Sequence, residues 1–183
     1  MRSMAEYQRP WRQNQRIVAN TDELAELVST AARRLVLIDG VPSAGKTSLA
    51  KELARVTTSA TLDTDCFLEP GRDTYIDAID WRALADGLNK ALSNEGSRVL
   101  LSGACALYVA RQLHLDEFLL IYVQRQTEQG LPGDLDDLDA EDATAGSCDT
   151  QAPTGLHAEV RNYHAAFRPR HQADIVFLRR ATS

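Results

Sequence analysis

The stretch Gly40-Val41-Pro42-Ser43-Ala44-Gly45-Lys46-Thr47 decides the fold of this chain. It fits the pattern G-x-x-x-x-G-K-[ST] of the phosphate-binding P-loop. The apolar run at 35–38 predicts a buried strand before the loop, and the apolar spacing within 48–54 predicts a helix after it. Because strand, glycine loop and helix stand in the order that the motif requires, the sequence predicts binding of a nucleoside triphosphate.

Each residue type in this loop suits a phosphate. Gly40 and Gly45 let the backbone bend tightly, so that successive N–H groups point inward at the positive end of the following helix. Lys46 adds a positive charge for the β- and γ-phosphates, and the Thr47 hydroxyl can ligate Mg²⁺, which favours oxygen ligands. We therefore predict ATP and Mg²⁺ as ligands. The ATP-binding residues in the loop would be Gly40, Ser43, Ala44, Gly45, Lys46, Thr47 and Ser48.

Composition excludes several classes of protein. The 183 residues are 44% hydrophobic and 25% charged, as in ordinary globular domains. A net charge of −6 provides no basic surface for nucleic acid. No apolar run approaches the ~18 residues of a membrane span, and three cysteines without a C-x-x-C pair fit a reducing compartment. We expect a cytoplasmic protein without a nucleic-acid or membrane partner, and homodimerisation stays open.

Apolar strands alternate with helical patterns along the chain. Strands are predicted at 34–39, 60–63, 98–102, 118–123 and 173–178. This alternation predicts an α/β fold, a P-loop NTPase three-layer sandwich around a mostly parallel five-stranded sheet. Residues 1–19 are predicted to form a flexible N-terminal arm and residues 20–183 the domain.

The segment 126–156 differs from the rest of the chain. It contains no lysine or arginine, and its acidic residues cluster between 134 and 142. A connection of this length between regular elements is typical of a lid or of disorder. The sequence therefore predicts a lid-like insertion in the domain.

Two further patterns have alternative interpretations. Asp39 immediately precedes the loop and either orients Lys46 or Thr47 or is a solvated strand end. His157, His164 and His171 are spaced by seven, which we interpret as helix-surface histidines in preference to a metal site.

Several patches outside the loop form a recognisable series. They are Leu62-Asp63-Thr64-Asp65-Cys66-Phe67, Asp77-Ala78-Ile79-Asp80-Trp81, Val99 to Leu107, and Tyr163 to Phe177. Together with the P-loop they resemble, in order, the uridine kinase and phosphoribulokinase-like group of P-loop kinases over about residues 33–180. The resemblance implies transfer of the γ-phosphate of ATP to a hydroxyl of a nucleoside-like or sugar-like substrate.

The resemblance also assigns roles to individual residues. Asp65 matches the aspartate that ends the second strand, where a carboxylate can accept a proton from an attacking hydroxyl or hold a magnesium-bound water. Catalysis would rest on Asp65 and Lys46, and the metal on Thr47 and Asp65. Asp63 is the alternative carboxylate. Arg168 would flank the adenine, and the substrate-binding residues would be Asp63, Asp73, Tyr75 and Arg125.

The chain departs from this group at three places. Ser102 stands where the group commonly has a glutamate near the magnesium. The lid-like segment has arginines only beside its two ends, Arg125 and Arg161. The group's nucleoside-contacting aspartate aligns near Thr74, with Asp73 adjacent. These departures keep a second hypothesis open, an ATP-binding accessory or regulatory protein with weak or no phosphotransfer. An AAA-type motor is disfavoured because no apolar strand ends in Asp-Glu.

Overall fold

The computed structural model describes residues 15–94, 96–133, 141 and 155–180. Its strands are β1 (Arg16–Val18), β2 (Leu35–Asp39), β3 (Ala60–Asp63), β4 (Val99–Ser102), β5 (Phe118–Gln126) and β6 (Ile175–Arg180). Its helices are α1 (Thr21–Thr30), α2 (Lys46–Thr57), α3 (Tyr75–Ala78), α4 (Trp81–Ser93), α5 (Ala106–Gln112), α6 (Leu156–Phe167) and α7 (Pro169–Gln172), with a 3₁₀ turn at Thr64–Phe67.

The strands form one sheet in the order β1-β6-β5-β2-β4-β3, and every strand pair is parallel. The prediction of a mostly parallel α/β sheet is confirmed, but the prediction of five strands was wrong by one. The sixth strand, β1, pairs with β6 at an edge and comes from the segment that we assigned to the N-terminal arm. Three residues are too few to show a strand periodicity, and Ile17 in their middle is 66% exposed.

Helices cover the sheet on both faces, as the three-layer prediction requires. Alternate side chains of β2 enter different cores, because successive residues of a strand point to opposite faces. Leu35 and Leu37 pack in a cluster with residues of α4, α5 and α6. Val36 and Ile38 pack with residues of α1 and α2. Burial of β2 on both sides explains its continuous apolar sequence.

The carboxyl ends of β2, β3 and β4 lie side by side. Ser102 at the end of β4 is in register with Ile38 on one side and with Asp63 on the other. The P-loop after β2 and the 3₁₀ turn after β3 therefore leave the sheet at the same edge. Ligands of open parallel sheets bind at this edge.

The predicted lid-like insertion is described only in part. Residues 126–133 form a turn that folds back on β5, where the Gly133 N–H donates to the Arg125 carbonyl at 2.9 Å. Glu141 is also described, and residues 134–140 and 142–154 lie outside the described residues. The prediction for the segment as a whole stays a prediction.

Candidate active site

The P-loop approaches β5 so closely that it requires glycine at its first position. A Cβ added to Gly40 would lie 2.6 Å from the carbonyl oxygen of Val123, far inside van der Waals contact. Gly45, at the other end of the loop, has a φ of +86° and immediately precedes α2. Gly45 and the first residues of α2, Lys46 to Ser48, line one cavity.

Lys46 folds over the loop that precedes it. Its Nζ donates to the carbonyls of Gly40 at 2.9 Å and of Val41 at 2.7 Å. A lysine ammonium has three N–H donors, so one donor is left for a phosphate oxygen. Burial lowers the pKa of Lys46, and the nearby carboxylate of Asp39 opposes this effect.

Thr47 and Asp63 are in direct contact. The Thr47 hydroxyl donates to one carboxylate oxygen of Asp63 at 2.6 Å, and the Asp65 N–H donates to the other at 3.1 Å. Asp63, which the sequence placed among the substrate-binding residues, therefore lies beside the predicted metal ligand of the P-loop.

Asp65 lies on the 3₁₀ turn after β3 and accepts a hydrogen bond from the Tyr75 hydroxyl at 2.8 Å. Burial raises the pKa of the Tyr75 phenol, so it keeps the proton that it donates. The phenol has one proton, so the Thr64 hydroxyl and the Ala104 N–H act as donors to its oxygen. Tyr75 is thus held in one orientation, with its proton directed at Asp65.

A cavity of about 500 Å³ joins the loop to Asp65. It is lined by Pro42, Ser43, Gly45, Lys46, Thr47, Ser48, Asp65, Leu68, Tyr75, Gly103, Ala104 and Leu156. Most of the P-loop residues predicted to bind ATP therefore share one space with Asp65 and Tyr75, two residues predicted from outside the loop.

Six predicted residues are not among the described residues that line this cavity: Gly40, Ala44, Asp63, Asp73, Arg125 and Arg168. Asp73 lines a separate cavity of about 560 Å³ with Glu69 and Trp81. Arg125 is exposed near the end of β5, and Arg168 joins α6 to α7 with a φ of +49°. Their predicted roles stay predictions.

The structure excludes one of the two interpretations of Asp39, a solvated strand end, whereas orientation of Lys46 or Thr47 by Asp39 stays a prediction. Its side chain is fully buried, and it accepts hydrogen bonds from the Gly40 N–H at 2.7 Å and from the Tyr163 hydroxyl. Burial raises the pKa of Asp39. Asp39 is therefore an internal support of the loop and not a solvated strand end.

Sequence reasoning missed three residues that hold this site in place. Tyr163 of α6 bonds to Asp39. Glu159, one turn earlier on α6, accepts hydrogen bonds from the backbone of α3. Arg179 of β6 donates to the Gly45 carbonyl at 3.2 Å and pairs with Glu52 at 2.9 Å. All of these contacts span more than eighty residues, and the adjacent arginines at 179 and 180 are the one local feature that could have drawn attention to any of them.

Ser102 ends β4 and Gly103 follows it, and both lie against β3 and the 3₁₀ turn after β3. Ser102 is buried, and its hydroxyl lies 3.5 Å from the Leu62 carbonyl. A Cβ on Gly103 would lie 1.7 Å from the Thr64 hydroxyl oxygen. Because glycine at 103 has no Cβ, the Thr64 side chain has room to hydrogen-bond to the Tyr75 hydroxyl.

The prediction that the three spaced histidines lie on a helix surface was wrong for His164. This residue is fully buried, and its Nδ1 lies 2.6 Å from a carboxylate oxygen of buried Glu141. His157 is exposed at the start of α6, and His171 lies on α7. In the part of the chain that the structure describes, no cluster of histidine, cysteine and acidic side chains has the arrangement of a metal site, and no helix is long and apolar enough to cross a membrane.

No family model and no curated protein matches the sequence. Among solved structures, the chain is similar to a protein described as a possible uridine kinase from Bacillus stearothermophilus. The two share 16% sequence identity with a TM-score of 0.53, over 86% of this chain and 96% of the other. This similarity shows that the chain has the same α/β fold as that protein.

Proposed function

We propose that this protein is an ATP-dependent small-molecule kinase that transfers the γ-phosphoryl group to a hydroxyl of a nucleoside-like or sugar-like acceptor. The observation that carries the proposal is the single cavity that contains Lys46, Thr47 and Asp65. A phosphate-binding loop and a carboxylate suited to a general base face the same space. The kinase-like fold supports this interpretation.

The reaction needs a bond to form and a bond to break at the γ-phosphorus. The acceptor oxygen bonds to phosphorus, the bond to the bridging oxygen of ADP breaks, and ADP leaves with that oxygen. Asp65 takes the proton of the acceptor hydroxyl, because an exposed carboxylate at this position can reach a substrate in the cavity. Tyr75 keeps Asp65 oriented for this role, and Lys46 stabilises the charge on the phosphates.

The residues present also fit a magnesium ion. The Thr47 hydroxyl and the carboxylates of Asp63 and Asp65 are hard oxygen donors near the loop. Magnesium held there would neutralise charge on the β- and γ-phosphates.

Two observations favour the alternative of an ATP-binding accessory protein. Among the described residues that line the cavity, Lys46 is the one cation, whereas phosphoryl transfer gains much of its rate from additional positive charge. Ser102 also supplies no carboxylate at a position where the resembling kinases commonly have one. Binding without transfer is the outcome that this alternative predicts.

Two measurements on purified protein separate these functions. The first is the affinity for Mg·ATP, compared between the protein, Lys46→Ala and Lys51→Ala, which removes an exposed lysine of the same helix. Only Lys46→Ala should lose binding. The second is ADP release in the presence of nucleosides, sugars and vitamins. Release that depends on one acceptor supports the kinase, and retained binding without release under any condition supports the accessory protein.

A further inference from the structure

We propose that Glu159 is a positioning residue for Asp65 and acts through Tyr75. The inference rests on the proposed function for its catalytic consequence, although the contacts themselves do not depend on it. It assigns a role in the site to α6, the helix that follows the acidic segment.

The first step is the contact between Glu159 and α3. One carboxylate oxygen accepts from the Tyr75 N–H at 2.7 Å, and the other accepts from the Ile76 N–H at 2.9 Å. The remaining two N–H groups of this four-residue helix bond to Thr74, through its hydroxyl and its carbonyl. Glu159 therefore satisfies half of the N–H groups of α3 from a distant part of the chain.

The second step is the dependence of α3 on this contact. A helix of one turn is unstable by itself, because few backbone bonds offset the cost of ordering it. A charged acceptor adds strong hydrogen bonds at its amino end. Glu69 holds the carboxyl end of α3 through the Ala78 carbonyl, and Glu159 holds its amino end, from which the Tyr75 side chain extends.

The third step is the contact between Tyr75 and the proposed base. The Tyr75 hydroxyl donates to Asp65 at 2.8 Å, while Thr64 and Ala104 donate to the phenol oxygen. The half-buried phenol cannot rotate away without losing these partners. A shift of α3 therefore moves the group that orients the carboxylate of Asp65.

The fourth step is the rigidity of α6 itself. Val160 and Tyr163 are buried in the core, and Tyr163 bonds both to Asp39 beside the P-loop and to the Leu107 N–H. Glu159 precedes Tyr163 by one helical turn, so both side chains project from the same face. Helix α6 therefore contacts both sides of the cavity, through Glu159 on the side of Asp65 and through Tyr163 on the side of the P-loop.

The first test needs no activity. Amide hydrogen exchange is measured over residues 64–68 and 75–78 in the protein, in Glu159→Gln and in the control Asn162→Ala, an exposed position on the same helix. Glutamine keeps the shape but offers only one acceptor oxygen. We expect exchange to rise about tenfold in both segments of Glu159→Gln. When Tyr75 has already been replaced by phenylalanine, Glu159→Gln should leave hydrogen exchange at residues 64–68 unchanged. Unchanged exchange at 64–68 in Glu159→Gln overturns the proposal.

The second test is kinetic and uses the acceptor found in the ADP-release screen. Glu159→Gln should lower kcat about tenfold with less than about a twofold change in ATP affinity, and its effect should largely disappear in the Tyr75→Phe background. An unchanged kcat, or a loss that adds fully to that of Tyr75→Phe, overturns the positioning role. If the unmodified protein phosphorylates no acceptor, the proposed function fails, and the exchange experiment alone decides the structural link.

Discussion

Thr47 and Asp63 share a hydrogen bond of 2.6 Å between a P-loop hydroxyl and the last residue of β3. The bond uses the proton of the Thr47 hydroxyl and leaves its oxygen lone pairs available to a ligand. It also places a carboxylate next to the predicted metal ligand. Partners of a ligand in this position commonly tune metal affinity.

Substitution Asp63→Asn should therefore raise the Mg²⁺ concentration needed for half-maximal activity by about tenfold. Thr47→Ala should have at least as large an effect, and Thr47→Ser, which keeps the hydroxyl, should have a small one. A magnesium titration at saturating ATP measures all three. If the Asp63→Asn protein has an unchanged magnesium requirement, Asp63 does not contribute to magnesium binding.

Substitution Asp65→Asn should leave Mg·ATP affinity nearly intact and lower transfer about 10²-fold or more, the scale of a lost general base. The neighbouring Cys66→Ser changes an exposed residue of the same turn and serves as the control. If Asp63→Asn abolishes transfer and Asp65→Asn does not, the base is Asp63.

Substitution Gly103→Ala should destabilise the fold by about 1–3 kcal/mol, the usual cost of overpacking. The added Cβ would overlap the Thr64 hydroxyl oxygen and so displace Thr64 from Tyr75. Gly71→Ala is the matched control, since it also has a positive φ but no atom within 4 Å of the added carbon. Denaturant unfolding of the two variants measures the difference, and equal losses would show that the contact with Thr64 is unimportant.

The buried carboxyl of Asp39 predicts a pH dependence of stability. Burial raises its pKa above the ordinary 3.8, so the folded state binds more protons than the unfolded state above that pH. The contribution of Asp39 to stability is thus present at low pH and is lost as pH rises from 3.8 towards the folded pKa, by up to about 1.4 kcal/mol per pH unit.

Comparison with Asp39→Asn isolates this contribution, because the amide does not titrate. The free energy of unfolding of the protein, minus that of the variant, should be larger at pH 4 than at pH 7. Asp86→Asn, at an exposed position of α4, controls for loss of charge alone. A difference that grows towards pH 7 would show that Lys46 and Tyr163 lower the pKa of Asp39 more than burial raises it.

The sequence predicted the parts of the site that are local in the chain. The P-loop and its flanking strand and helix lie within about twenty consecutive residues, so their pattern is visible without a fold. Asp65 was singled out by the resemblance, in which it matches the aspartate that ends the second strand, and a residue there lies at the sheet edge where the carboxyl ends of parallel strands converge. The alternation of strands and helices then gave the layered architecture.

The contacts that hold the site together were not predictable in this way. Tyr163 and Asp39 are 124 residues apart, and Glu159 and Tyr75 are 84 residues apart. Neither pair has a local pattern, since each depends on the packing of α6 against the sheet. The burial of His164 was missed for a related reason: a spacing of seven places residues on one helix face but does not say whether that face meets solvent or core.

The central claim is that the γ-phosphoryl group goes to an organic hydroxyl and not to water. The most direct measurement is ³¹P NMR of the protein with Mg·ATP and the acceptor library, with Asp65→Asn in parallel. We predict a phosphate monoester signal that grows as ATP declines, needs an acceptor and is nearly absent in Asp65→Asn. Inorganic phosphate formed at the same rate with and without any acceptor would contradict it.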